Sequence, residues 1–261
     1  MQKVDPKKRL GQHFLKDKGI CEKIANLYGS QEIAPKIVEI GPGMGALTEY
    51  LLKRTELDTW CMEVDDESVR YLDIYFPQLK GKVIFGDFLR EDLSNIIDGR
   101  KIGIIGNFPY NISSQILFKC LDYRNHIPEI VGMFQKEVAE RVAEKPGSKQ
   151  YGILSVLLQT FYDIQYCFTV DEHVFNPPPK VKSAVIRCVR NKRETLGCDE
   201  KLFIQVVKTA FNQRRKTLRN ALKPIIQQAD LPFLDLRAER LSVDDFIELT
   251  TRISNALADK N

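Results

Sequence analysis

Asn107, Pro109 and Tyr110 lie within four residues of one another, directly after the apolar run Lys101-Ile-Gly-Ile-Ile-Gly106. An amide oxygen, backbone carbonyls and an aromatic ring at that spacing can hold a planar amino group. An exocyclic amine on a heteroaromatic base is a poor nucleophile, because its lone pair is delocalised into the ring. Accepting both of its N–H groups, with the Asn107 side-chain oxygen and a carbonyl near Pro109, favours pyramidal nitrogen and aims the lone pair. That is orientation and electrostatics, not proton abstraction. Proline stiffens the loop, and Tyr110 can stack on the base. A bare Asn-x-Pro is commonly a surface turn, so the reading depends on what surrounds it.

A second loop supplies that context. Glu39-Ile-Gly41-Pro-Gly43-Met-Gly45-Ala46 follows one apolar run and opens an amphipathic one. Glycines there let the backbone turn tightly and approach a ligand closely. The spacing also fits the dinucleotide fingerprint through Ala46, so the loop by itself does not separate a nicotinamide cofactor from S-adenosylmethionine. Glu39 reads as structural support. Glu63 ends the next apolar run, 18 residues past Gly45, where an acid accepts from ribose hydroxyls in both cofactor classes. Asp65 and Asp66 compete for that role or cap the following helix. Asp87, in Gly86-Asp87-Phe88, suits an adenine amino group or a simple turn. The three histidines, His13, His126 and His173, are dispersed, and no metal site is expected. Both loops in one chain are read most simply as methyl transfer to an amino nitrogen.

The elements that would position these loops alternate. Strands are expected at Lys36–Ile40, Thr59–Glu63, Lys82–Phe85, Ile102–Ile105 and Glu129–Phe134, with helices over Ala46–Lys53, Ser113–Cys120 and Lys136–Glu144. That alternation predicts an α/β, doubly wound, Rossmann-like sheet of mostly parallel strands. Two late strands, Phe161–Thr169 and Val181–Val189, need no crossover helix and are expected as an antiparallel edge. Asn176-Pro-Pro-Pro179 between them must be a rigid loop, since proline has no N–H for a ladder. After Asn191–Gly197, Phe203, Val206, Val207, Ala210 and Phe211 share one helical face. A small C-terminal all-α domain is therefore expected over 194–261, after a catalytic domain over 1–193.

The 261 residues are 43% hydrophobic with net charge +4, enough to build a core. No apolar stretch reaches the roughly 20 residues of a membrane span, and the N-terminus has no signal-peptide h-region. Six scattered cysteines without a CxxC pair read as free thiols in a reducing cytoplasm. The charge is unevenly spread. There is no acid from His173 to Arg193, which holds six bases, nor from Lys201 to Ala229, whereas acids gather between Glu56 and Asp73. A polyanion could bind the first two regions and avoid the third.

Five motifs in register resemble the rRNA adenine N6,N6-dimethyltransferase family, in its small-subunit branch, almost end to end. They are Leu10-Gly-Gln-His-Phe-Leu15, Val38–Thr48, Gly106–Ser113, Val174-Phe-Asn-Pro-Pro-Pro-Lys-Val-Lys-Ser-Ala184 and Phe211-Asn-Gln-Arg-Arg-Lys-Thr-Leu-Arg-Asn-Ala-Leu222. The resemblance implies that His13, Leu15, Gly41, Gly43, Glu63, Asp87 and Asn107 bind S-adenosylmethionine. It implies that Asn107, Pro109, Tyr110 and Phe175 form the catalytic set, with Phe175 stacking opposite Tyr110. It further implies dimethylation of two adjacent adenosines near the 3′ end of small-subunit rRNA, in an immature 30S particle, by a cytoplasmic monomer. Lys180, Lys182, Arg214, Arg215, Lys216 and Arg219 become candidate RNA contacts, since structured RNA is held largely by shape and phosphate. Arg214 falls near the apolar face of the preceding helix, so the outward members Arg215, Lys216 and Arg219 are the ones expected to meet phosphates. Phe108, where Leu is frequent, and His13, where Asn also occurs, are the mild departures. Three rivals are an adenine methyltransferase of large-subunit rRNA from the antibiotic-resistance branch, a non-catalytic assembly factor, and, weakest, a nicotinamide oxidoreductase.

Overall fold

The computed structural model describes residues 4–226 and 231–258; the end of the acid-free stretch and the last three residues of the expected helical domain lie outside them. A two-residue strand β1 (Phe14–Leu15) leads into helix α1 (Lys18–Leu27), whose first turn is capped by Asp17 accepting from the Ile20 N–H. Then follow β2 (Lys36–Ile40), α2 (Thr48–Leu51), β3 (Asp58–Glu63), α3 (Asp66–Tyr75), β4 (Val83–Phe85) and α4 (Ser94–Ile97). The chain continues with β5 (Gly103–Asn107), α5 (Ser113–Asp122), β6 (Glu129–Gln135), α6 (Lys136–Ala143), α7 (Ile153–Phe161) and β7 (Tyr162–Val170). β8 (Phe175–Asn176) and β9 (Ser183–Arg190) complete the strands.

Among the described residues the main sheet runs β4-β3-β2-β5-β6-β9-β7. Its first five strands are parallel, and β9 is antiparallel to β6. The doubly wound sheet with an antiparallel edge is thus as expected. β2, β5 and β6 are buried almost throughout, which is why they read as apolar runs without alternation. β2 has β3 on one side and β5 on the other, so the chain reverses direction across the sheet at that point. In such sheets ligands bind outside the strand ends at the switch. The register Glu39↔Ile105 brings the loops after β2 and β5 side by side.

Glycine is required where they meet. A Cβ on Gly106 would lie 2.7 Å from the Ile40 carbonyl oxygen, and one on Gly132 would lie 2.3 Å from the Phe108 ring. The missing side chains make room for Phe108, which is 1% exposed and packs edge-on against Phe134.

Two compact units emerge, one of residues 1–139 and 163–190, the other of 140–162 and 191–261. The second holds α7, then α8 (Glu200–Asn212), α9 (Leu218–Ala221) and α10 (Val243–Ala258). Its core contains the expected α8 face, with Phe211 packed against both Tyr151 and Phe246. Asp199 caps α8, and Ser242 and Asp245 form a reciprocal capping box at α10.

Two features differ from the sequence expectation. Phe161 ends α7 instead of opening a strand. Ile153–Phe161 is buried on nearly every side, so it carries no helical polarity pattern to read. Its inclusion with 140–162 also makes the helical unit discontinuous in sequence. Within the helical unit the chain leaves helix between Asn212 and Leu218.

Candidate active site

A cleft opens at the switch point in the first unit. It is walled by Ile40, Gly41 and Gly43 at the end of β2, Met62, Glu63 and Val64 at the end of β3, Gly86–Phe88 after β4, Asn107–Tyr110 at the end of β5, and Leu10–Phe14. Gly41 and Gly43 have φ of 66° and 56°, a region costly for other residues. A Cβ on Gly43 would lie 2.7 Å from the Phe14 ring.

Two buried acids order the floor. Glu39 accepts the Thr48 hydroxyl at 2.6 Å and is 2% exposed; it serves the fold beneath the glycine loop. Burial raises its carboxyl to about 8, with the Glu63 charge adding to the rise. Glu63 is 3% exposed. Its Oε2 accepts from the Gly43 N–H at 3.0 Å, and Oε1 from the N–H groups of Val64 and Asp65 at 2.9 Å each. Burial raises its carboxyl, opposed by those three donors. Three of about four acceptor directions are filled, and Glu63 lines the cleft. Asp65 is occupied elsewhere: it pairs with Lys7 and accepts from the Ser68 hydroxyl at 2.9 Å. Asp66 pairs with Arg70. Of these three acids, Glu63 is the one that lines the cleft.

Glu39 makes a pH dependence. Its folded carboxyl binds a proton more tightly than its unfolded one, so between about 4.5 and about 8 the native state holds more protons and stability falls as pH rises. Glu63 contributes in the same direction. Glu39→Gln, which retains an oxygen for Thr48, is expected to gain stability over the wild type as pH increases from 5 to 8. Urea midpoints that move in parallel for the two proteins would refute this.

Asn107 is the last residue of β5, and its Nδ2 donates to the His13 carbonyl at 2.9 Å. A carbonyl can only accept, so this contact fixes which end of the amide is which and leaves Oδ1 free to accept from a ligand. The Pro109 carbonyl takes the Ile112 N–H at 3.2 Å and keeps a second lone pair. The Tyr110 hydroxyl bonds the buried Ser183 hydroxyl, and burial raises the phenol above its usual range. The Tyr110 ring stacks on His13, with centroids 5.3 Å apart and 26° between planes. Asp87 also lines the cleft. Its Oδ1 accepts the Leu89 N–H at 2.9 Å, so it serves the turn while Oδ2 remains available beside Arg90 at 3.5 Å.

The cleft thus assembles His13, Gly41, Gly43, Glu63, Asp87, Asn107, Pro109 and Tyr110. It does not include Leu15 or Phe175. Those two are paired across β1 and β8, are 5% and 1% exposed, and belong to the core around Ile24 and Ile105. Sequence reasoning missed Gln12, Met62, Val64 and Phe88. Their only signal was adjacency to motif residues. It also missed Lys7, whose partner lies 58 positions away.

The candidate RNA contacts divide. Lys180, Arg215 and Lys216 are exposed. Lys182 pairs with Asp171 at 2.6 Å and Arg219 with Asp235 at 2.9 Å, all four groups being largely solvated. Arg214 donates to the Ser148 carbonyl at 3.1 Å and lies 3.8 Å from Glu239, which ties it to its own unit.

A glycine loop and an Asn-x-Pro-Tyr turn side by side at the switch of a doubly wound sheet define a methyltransferase that acts on an amino nitrogen. The chain belongs to the ribosomal RNA adenine dimethylase family, whose model matches residues 4–259. It is 60% identical to the ribosomal RNA small subunit methyltransferase A of Cytophaga hutchinsonii, over 97% of this chain and 99% of that one. It is 55% identical to the protein of the same name from Flavobacterium johnsoniae, over 97% of each. A dimethyladenosine transferase from Plasmodium falciparum shares the fold with a TM-score of 0.74 at 23% identity, over 91% of this chain and 96% of that one. The 23S rRNA methyltransferase ErmE does so at 0.67 and 22%, over 92% and 99%.

Proposed function

We infer that this protein dimethylates N6 of two adjacent adenosines near the 3′ end of small-subunit rRNA, using S-adenosylmethionine. The observation that carries the reading is near-full-length identity of 55–60% to proteins named for small-subunit methylation, together with an Asn107 amide held ready to accept an amine. The large-subunit alternative has only a likeness of fold behind it. A non-catalytic assembly factor would have no use for the His13–Asn107 hydrogen bond. The match to a methyltransferase family over residues 4–259 leaves a nicotinamide reading without support.

S-adenosylmethionine supplies a methyl group on a sulfonium when bound. The cleft fits it: Glu63 has one open acceptor direction for a ribose hydroxyl, Asp87 Oδ2 for an adenine amine, and Gly41 and Gly43 allow close backbone approach. Asn107 Oδ1 and the Pro109 carbonyl then accept the two N–H groups of the target amine, and Tyr110 supports the base. That base must first leave its stack. The 1–193 segment carries this chemistry, while 194–261 docks rRNA through its exposed bases. The substrate is an immature 30S particle, and the protein works in the cytoplasm as a monomer. Primer extension across the small-subunit rRNA 3′ end, in cells with and without this protein, tests the reading; identical stops in both would overturn it.

Glu63→Ala is expected to weaken S-adenosylmethionine binding by about 1.5–3 kcal/mol, the scale of a hydrogen bond to a charged group. Calorimetry that finds unchanged affinity would remove Glu63 from ribose binding.

A further inference from the structure

We propose that the Gln135 side-chain amide reads the target base, its Nε2 donating to ring nitrogen N1 of the adenine. This rests on the function proposed above. Gln135 is the last residue of β6. The registers Asn107↔Met133 and Gln135↔Ser183 set Asn107, Gln135 and Ser183 on one face of the sheet, because paired residues share a face and so do alternate residues of a strand. The rows below them agree: Ile105, Met133 and Val185 pack in a single core cluster on that face. Gln135 lines a groove together with Tyr110, Pro177, Pro178 and Lys180, and Ser183 on the next strand bonds the Tyr110 hydroxyl. The Gln135 side chain is half-buried, and its amide bonds no described residue.

The amine site offers acceptors alone. Asn107 Nδ2 is taken by the His13 carbonyl, Pro109 has no N–H, and the Tyr110 hydroxyl is engaged by Ser183. The Watson–Crick edge of adenine carries two kinds of group, the N6 hydrogens, which donate, and N1, which only accepts. A base delivered by its backbone enters with the edge farthest from the glycosidic bond, so N6 and N1 reach the strand ends together. With N6 on Asn107 and Pro109, N1 still lacks a donor, and an acceptor stripped of water without one costs affinity. Gln135 Nε2 is the unengaged donor on the Asn107 face. Lys180 shares the groove, but its exposed, strongly hydrated ammonium suits a phosphate better than a ring nitrogen. A donor at N1 does not make N6 a better nucleophile; Gln135 recognises and places the base, while Asn107 and the Pro109 carbonyl orient the amine.

The test uses the full-length protein, labelled S-adenosylmethionine and unmethylated small-subunit particles whose rRNA 3′ segment carries either adenosine or 1-deazaadenosine at the target positions. The analogue keeps N6 and replaces N1 by C–H. The readout is the ratio of kcat/KM on the two particles, taken in each protein so that the intrinsic reactivity of the analogue cancels. Wild-type protein is expected to prefer adenosine by about 3- to 10-fold more than Gln135→Ala does, the scale of one hydrogen bond between neutral groups. Gln135→Glu, which offers N1 only acceptors, should fall below Gln135→Ala on adenosine. Calorimetric affinity for S-adenosylhomocysteine should stay near wild type in both variants. Equal ratios in wild type and Gln135→Ala would overturn the proposal. So would a ratio that shifts instead in Gln12→Ala, which removes the other amide of the groove, or a loss in Gln135→Ala that tracks weakened S-adenosylhomocysteine binding. Wild-type protein that methylates no small-subunit particle would instead overturn the proposed function.

Discussion

Asn107→Ala is expected to reduce methyl transfer by about 10²–10³-fold, the usual loss when one preorganised polar group at a reacting centre is removed. The reason is geometric. The His13 carbonyl occupies Nδ2, so the amide has one role left, which is to accept an N–H of the target amine through Oδ1. Alanine removes that acceptor and leaves the His13 carbonyl without its donor, at a further cost of about 1 kcal/mol in local order. Asn107→Asp is the sharper variant. It keeps the shape and an oxygen toward the ligand, but sets a carboxylate oxygen against the His13 carbonyl. It is expected to be nearly as inactive, because repulsion swings the side chain off the amine. Single-turnover transfer with purified protein decides the matter. Either variant working at close to the wild-type rate would remove Asn107 from the catalytic role.

Reversing charge at Arg215, Lys216 and Arg219 together is expected to abolish rRNA methylation while S-adenosylmethionine affinity and Tm stay close to wild type. Arg215 and Lys216 are exposed in the turn between α8 and α9. Among the described residues the Arg219 guanidinium pairs with Asp235, itself 83% exposed, and such a surface pair is worth no more than about 1 kcal/mol. A phosphate can therefore displace it. Each phosphate no longer neutralised should flatten the log–log salt dependence of particle binding by about 0.7–0.9. Arg214 is left out of the variant because its bonds to Ser148 and Glu239 make it part of the unit's framework. Filter binding across a salt series and cofactor calorimetry on the same protein suffice. An unchanged salt slope would show that these bases do not meet phosphate and would shift docking to Lys180 and its neighbours.

Local signals in the sequence carried the sheet and most of the cleft. Parallel strands buried on both faces read as apolar runs, and glycines at 41, 43 and 45 mark a backbone that must turn after one of them. Glu63, Asp87 and Asn107 are strand-end residues, so knowing the strands placed them on one edge. Roles that depend on long-range pairing were not readable. Nothing local distinguishes Asp65 from Glu63; only the fold brings Lys7 across from the N-terminal segment to pair with Asp65 and leaves Glu63 lining the cleft. The basic stretches looked free because their acids lie elsewhere in sequence. Asp171 meets Lys182 and Asp235 meets Arg219 only once the chain has folded. Phe175 and Leu15 look like cleft residues by motif, yet pairing of β1 with β8 turns both into the core. The same pairing brings His13 to Pro177 and Tyr110. Sequence by itself determined which residue types stand at the strand ends, because periodicity and turn chemistry act over a few residues. Tertiary structure decided which of them face the cleft and which acceptors remain open, because burial and hydrogen-bond partnership are set by segments more than 50 residues apart.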